Sequence, residues 1–320
     1  MRIMALIILA LSIVISGCSG NVIGIEKNKN FQQQIPYRQE KKLIVINVNG
    51  DVKVKAKEQS EFTTVTAILK ASGLTSKEAQ AFLDQIEIRF VREGDEIHVE
   101  TICPKVWTMP GKARKPKSWS VDYSIMIPDK LDIECSGTNG NMDVNGSNAN
   151  VISQTTNGNV RVANNTGEVN AISVNGNINV ENSQDYRIKV RATTRNGNNN
   201  IDMPNAKQGD FTITTTNGNI KLNLPSGTDP IIDLHTTNGN IGIYLGERLS
   251  AQVDASTTHG KAETNMVINT STSVGGILEE KVIKGVVGGG FGSVKAKTTN
   301  GNISLEYGQA PSEKKSKTPA

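Results

Sequence analysis

The sequence predicts an all-β chain, a parallel β-helix or β-solenoid of about nine or ten coils of 18–21 residues, with a small α/β insertion near the N-terminal end. Three observations carry this. An Asn-Gly pair, usually inside Thr-Thr-Asn-Gly-Asn, recurs with glycines at 50, 140, 158, 176, 197, 218, 239 and 301, and His259-Gly260 is a variant of it. Aligned on these glycines, positions seven and five before and two and four after are apolar almost throughout, and the residues between them are mostly polar. The positions five before, for example, run Val45, Cys135, Ser153, Ala171, Ala192, Ile213, Leu234, Ala255 and Ala296; only Ser153, Asn199 and Thr264 break the rule in all four columns. Such alternation on both sides of a fixed corner means strand, turn, strand. Lastly, a repeat this short cannot bury its own apolar face, so copies must stack.

An antiparallel meander with Asn-Gly hairpins is the competing arrangement. The solenoid is favoured because like residues recur in every column, because corner asparagines can stack their amides in a row, and because the change of step from 18 to 21 falls at the opposite corner. There Asn164-Asn165-Thr166 gives way to longer segments such as Pro204–Asp210. The structural corners are thus Asn157-Gly158, Asn175-Gly176, Asn196-Gly197, Asn217-Gly218, Asn238-Gly239 and Asn300-Gly301.

Residues 1–17 hold one charge, Arg2, then the apolar run Ile3–Ile15 and the small pair Ser16-Gly17, the pattern of a secretory signal. The run is shorter than the roughly 20 residues of a membrane span. Ile15-Ser16-Gly17-Cys18 looks like the bacterial lipobox, which makes Cys18 the acylated first residue of a lipoprotein carrying diacylglycerol and palmitate-type chains. Ser19 is not an inner-membrane retention aspartate, which favours the outer membrane where the cell has one. Residues 18–40 are read as the lipid-attached tether and 41–308 as the solenoid.

Within 41–308, the insertion 55–130 reads as a strand (61–71), a helix (76–85, with Ser76 as its cap) and a hairpin of 86–91 and 96–102 around Glu93-Gly94-Asp95. A further strand, 121–127, is stopped by Pro128. Residues 266–292 lose the register, and 309–320 are polar and lysine-rich, a disordered tail by composition.

Val121-Asp122-Tyr123-Ser124-Ile125-Met126-Ile127-Pro128, leading into Leu131-Asp132-Ile133 and Thr138-Asn139-Gly140-Asn141-Met142-Asp143-Val144, resembles the entry motif of a bacterial "putative adhesin" family with β-strand repeats, domains of unknown function. The likeness spans roughly residues 40–308 and implies a right-handed parallel β-helix; it bears on fold far more than on function.

Removing residues 1–17 lowers the formal charge from +4 to +3, too mild for a nucleic-acid partner. A β-helix enzyme would need close carboxylates. The best such set is Asp233 and Asp254, expected on adjacent coils, with His235 two residues along. Chance placement on a solvated face accounts for these acids far more simply, and the chain is read as non-enzymatic. His235 and His259 fall in different columns, and no cofactor or metal set is recognised. The Thr column (Thr194, Thr215, Thr236, Thr257, Thr298) shares the parity of the core and is read as a hydroxyl ladder at the corner. Cys135 lies in an inward column, which favours a buried thiol over a disulfide with Cys103.

The candidate binding segment is Lys105–Trp119, with Lys105, Lys112, Arg114, Lys115 and Lys117 between Trp107 and Trp119 and no acid. Basic groups interleaved with aromatic ones suit a glycan, an anionic lipid or an acidic envelope protein. The expected role is that of a membrane-anchored, adhesin-like or partner-binding envelope lipoprotein. A structural module without a specific ligand and a polysaccharide-active enzyme are the alternatives.

Overall fold

The computed structural model describes residues 24–109, 111–183, 187–269 and 277–308. The signal 1–17, Cys18 and the tail 309–320 lie outside them. Among the described residues the fold is all-β with one helix, and its long sheets are mainly parallel. Two compact units divide it, Met1–Gly176 and Asn177–Ala320.

In the first unit, one sheet runs in the spatial order Ile25–Pro36, Phe62–Gly73, Ser118–Pro128, Val52–Lys57, Met142–Asn145, Val160–Ala163. Its first two junctions are antiparallel and the others parallel. The second sheet runs Glu87–Glu93, Glu96–Ile102, Lys42–Asn49, Asp132–Asn139, Val151–Asn157, Val169–Asn175, antiparallel only at its first junction. Like meets like across the rungs: Leu43 lies beside Ile133, Ile133 beside Val151, and Val151 beside Val169. All four side chains are buried. Because side chains alternate in a strand, the intervening Ile44, Glu134, Ile152 and Asn170 stay at least partly in solvent.

Two segments of the insertion join this stack. Ile97 and Val99 extend the columns of Leu43 and Val45, and Tyr123 and Ile125 extend those of Val52 and Val54. No Asn-Gly corner joins them, so the glycine alignment could not find this rung. A buried polar knot ties it to the next. Asn47 Nδ2 donates to the carbonyls of Gly50 (3.0 Å) and Val121 (2.8 Å), Thr101 Oγ1 donates to Asn47 Oδ1 (2.9 Å), and the Thr101 and Tyr123 hydroxyls are 2.7 Å apart. Asn47 occupies the place that Thr or Ser holds in later coils because its longer side chain reaches both carbonyls.

Two expectations are corrected here. The stretch read as a tether contains a 12-residue strand, Ile25–Pro36, paired antiparallel along its whole length with Phe62–Gly73. Its polar run gave little apolar alternation, and its pairing is carried by the backbone at a sheet edge. The helix, Ser76–Leu83, is capped by Thr75 rather than Ser76: Thr75 Oγ1 accepts from the Glu78 amide at 3.1 Å. The helix buries Ala79, Phe82 and Leu83.

In the second unit, one sheet is parallel throughout, in the order Ile178–Glu181, Asn199–Asp202, Ile220–Leu224, Ile241–Leu245, Ile303–Tyr307, Ala262–Thr264. The other runs from Ile188–Asn196 through Gly209–Asn217, Ile231–Asn238 and Gly292–Asn300 to Ala251–His259. The chain's last rung therefore sits between the Gly239 and Gly260 rungs, and spatial order departs from chain order. The segment read as irregular supplies the strand Val282–Val287, antiparallel to Ala251–His259. It covers an edge that would otherwise offer unpaired backbone.

Candidate functional site

The corner consumes the residues that recur most. Asn157 Nδ2 donates to Asn139 Oδ1 and Asn175 Nδ2 to Asn157 Oδ1, each at 2.8 Å. In the second unit Asn217 donates to Asn196, Asn238 to Asn217 and Asn300 to Asn238, at 2.7–2.8 Å. The asparagine after each glycine accepts from the backbone of its neighbour, as Asn219 Oδ1 does from the Asn240 amide at 2.8 Å. The Thr column is buried, and its hydroxyls donate to glycine carbonyls one rung away, Thr215 to Gly197, Thr236 to Gly218 and Thr298 to Gly239, at 2.9–3.0 Å. Glycine is required at the corner itself: a Cβ on Gly176, Gly218, Gly239 or Gly301 would lie 1.9–2.0 Å from the carbonyl oxygen of the preceding glycine in the stack. Corner and Thr column are thus occupied by structural bonds.

The acidic candidate comes apart. Asp233 pairs in register with Lys295, and Lys295 with Asp254, so the carboxylates expected on adjacent coils have a lysine between them. His235 likewise lies opposite Lys297. Chain order and rung order differ here, because the strand Gly292–Asn300 enters between Ile231–Asn238 and Ala251–His259. The cysteines do not come together either. Both are free thiols; Cys135 is fully buried in line with Val45, and Val45 with Val99, whereas Cys103 lies four residues beyond Val99. Burial pushes the Cys135 thiol up to about 12 and also raises that of Cys103.

The basic segment is held in a built lobe. Trp107 is only 6% exposed and meets Phe82 of the helix edge-on at 5.8 Å between ring centroids, with Trp119 6.0 Å away. Gln85, just past the helix, clamps Thr108 by donating to its carbonyl (2.9 Å) and accepting from its amide (3.0 Å). Arg114 Nη1 donates to Glu78 Oε1 at 2.8 Å, and the Arg114 amide donates to the Trp107 carbonyl at 3.2 Å. The Lys117 amide donates to the Ser72 carbonyl at 3.0 Å. Trp107 and Arg114, both named from sequence as binding residues, therefore hold the loop on the helix. Lys105, Lys115 and Lys117 are exposed on it and Trp119 is half-buried; the side chain of Lys112 lies outside the described residues.

The structure adds residues that the basic motif did not reveal. The Lys117 side chain runs beside Gly24, at the start of the strand Ile25–Pro36. Lys27 on that strand and Lys77 on the helix line one depression with Ser76, Gln80, Ala81 and Asp84. Ile25, Leu74 and Val106 of the same lobe are 47%, 53% and 64% exposed. Only the tertiary placement of residues 24–29 and 74–85 beside 103–118 shows that these belong together.

A model of the Toastrack DUF4097 family matches residues 12–224 and again 117–306, which together span most of the chain. The chain belongs to this family. Toastrack DUF4097 is a domain of unknown function, and the match agrees with the resemblance read from the Asn-Gly blocks. Among solved structures, a "putative adhesin" from Bacteroides fragilis aligns at 13% identity over 87% of this chain and 97% of that one, with a TM-score of 0.46. A "putative lipid binding protein" from Parabacteroides distasonis aligns at 10% identity over 88% and 97%, TM-score 0.45. A "putative adhesin" from the same organism aligns at 11% over 88% and 97%, TM-score 0.37. No curated protein matches the chain.

Proposed function

We propose that this Toastrack DUF4097 protein is a non-enzymatic envelope lipoprotein, acylated on Cys18, that presents a β-solenoid surface of about nine or ten coils in an adhesin-like or partner-binding role. Residues 1–17 act as its signal, and the outer membrane is its place where the cell has one. The observation that carries the reading is the bonding of like residue to like along the corner, Asn217 to Asn196 and Asn238 to Asn217. It commits the repeat to a fixed surface rather than to groups left available for chemistry. Lys295 between Asp233 and Asp254 supports the same reading, since a cation there removes the close carboxylate pair that glycoside chemistry needs. The recognition surface is the basic lobe carrying Lys105, Lys115 and Lys117, and its ligand is an anionic one: a glycan, a lipid headgroup or an acidic envelope protein.

The test has two arms. Growth with labelled palmitate is expected to label the chain and to fail with Cys18→Ser. The Cys18→Ser chain, immobilised, is expected to retain acidic glycans, anionic lipid or purified envelope protein through the lobe. Absence of all binding leaves a structural module. Turnover of a polysaccharide that disappears in Asp233→Asn overturns the non-enzymatic reading.

A further inference from the structure

We infer that the lobe built from residues 24–29, the helix Ser76–Leu83 with its flanks, and the loop 103–118 is a docking surface for the anionic headgroups of the bilayer in which Cys18 is anchored. The inference rests on the anchoring reading and narrows the lobe's ligand to one. Gly24 lies six residues on from Cys18, with five between them, and six extended steps bridge at most about 22 Å. An acylated Cys18 thus keeps the beginning of the strand Ile25–Pro36 within a short distance of the headgroups, and that beginning lies inside the lobe, with the Lys117 side chain beside Gly24 and Ile25 paired with Gly73.

Charge is the second step. Residues 24–29, 74–85 and 103–118 hold eight lysines and arginines against three acids, whereas the whole chain has a formal excess of four. Two of the three acids are engaged locally: Glu78 takes Arg114 and the Leu74 amide, and Asp84 accepts from Gln80 at 2.9 Å, leaving Glu26 on the strand. The lobe therefore concentrates the chain's net positive charge where the tether delivers it. The third step is apolar exposure. Ile25, Leu74 and Val106 stand in solvent among these cations, and basic groups flanking exposed aliphatic side chains suit the headgroup boundary. A soluble anionic glycan would be served by the lysines alone and leaves the three aliphatic groups without a role. The helix-held loop keeps the arrangement pre-formed, so little ordering is needed on contact.

The experiment uses residues 18–320 with Cys18→Ser, which carry neither the apolar signal nor an acylation site, in co-sedimentation with vesicles of phosphatidylcholine alone or with about one-third phosphatidylglycerol. The expected result is partitioning to the anionic vesicles only, abolished near 1 M salt, where the Debye length is about 3 Å. Each basic side chain at an anionic surface raises affinity roughly fivefold, so Lys105→Gln, Lys115→Gln and Lys117→Gln together are expected to lower partitioning roughly a hundredfold. Leu74→Gln, with the lysines intact, is expected to weaken it without changing its salt dependence. Circular dichroism establishes that each variant is folded, and the salt series on the unvaried lobe tests the inference even if a variant is not. Equal partitioning to neutral vesicles, none to anionic ones, an unaffected triple variant, or competition by soluble polyuronate in preference to vesicles overturns it. Failure here with palmitate still on Cys18 in cells leaves anchoring intact and removes the docking surface. Partitioning of the unacylated chain without palmitate in cells does the reverse.

Discussion

The side-chain amide of Asn157 donates to Asn139 and accepts from Asn175, both at 2.8 Å, so one residue holds three rungs in register. Asn49, one rung beyond Asn139, accepts from it at 2.7 Å. Asn157→Ala removes two hydrogen bonds at an exposed corner where water replaces much of what is lost, and it is expected to cost about 1–2 kcal/mol. Asn49→Ala removes one and is expected to cost about half as much. Asn157→Asp keeps an acceptor for Asn175 but sets a carboxylate against the Asn139 oxygen, so its cost grows as pH rises past the carboxylate range. Urea midpoints of the three variants check this. Equal tolerance of all three means the ladder contributes nothing to stability.

Gly158 is fixed by a different constraint. A Cβ there would lie 2.1 Å from the Gly140 carbonyl oxygen, and that carbonyl belongs to the backbone of the neighbouring rung, so it cannot swing aside. Gly158→Ala is expected to cost about 3 kcal/mol or more, as overpacking against an immovable neighbour does. Gly94 is the control: nothing lies within 4 Å of its added Cβ, and only its φ of +63° opposes a side chain. Gly94→Ala is expected to cost about 1–2 kcal/mol. Thermal unfolding distinguishes the two, and similar losses would argue against crowding at the corner.

Lys295 offers a direct check of the rung order. It stands in register between Asp233 and Asp254, and Lys284 also approaches Asp254 at 3.9 Å. Lys295→Glu makes a column of three carboxylates on neighbouring rungs and is expected to cost roughly 1 kcal/mol at low ionic strength. Lys295→Gln is expected to cost less. The difference between them should shrink in salt, because exposed charges are screened. If the Glu and Gln variants unfold at the same denaturant concentration in low salt, the C-terminal rung is not where the structure has it.

The repeat was legible because every coil must solve the same local problem with the same residues. Val151, Val169 and their counterparts face inward at fixed offsets from a glycine that tolerates no Cβ, so alignment on glycine recovers both columns and corner. What stayed hidden is where sequence neighbours are not spatial neighbours. The rung of Ile97 and Tyr123 has no Asn-Gly corner, and the Gly301 rung enters between two earlier ones. The first strand reads as polar because backbone pairing with Phe62–Gly73, more than apolar burial, specifies it. The basic segment was found, but the roles of its residues were not: Trp107 and Arg114 face Phe82 and Glu78, partners about 25 and 36 residues away in the chain, respectively. Lys27 and Lys77 join the lobe only through the fold.

Cys135 carries a prediction with a defined sign. Burial raises its thiol from 9.0 to about 12, so the folded state holds the proton more tightly than the unfolded chain. Its contribution to stability is therefore complete below about pH 9 and is lost as pH climbs from there to about 12, with a slope of at most about 1.4 kcal/mol per pH unit. Tyr123, also raised by burial, destabilises in the same direction, so the comparison must be between variants. Cys135→Ala is expected to unfold more easily than the parent at pH 7, because it leaves a small cavity, yet to lose less stability between pH 9 and 11. In a Cys18→Ser background two thiols remain. Iodoacetamide at pH 8 is expected to modify the half-buried Cys103 slowly and Cys135 only once the chain is unfolded, as read by peptide mass. Rapid modification of Cys135 in the folded protein would place it outside the stack and break the inward column that it shares with Val45 and Ser153.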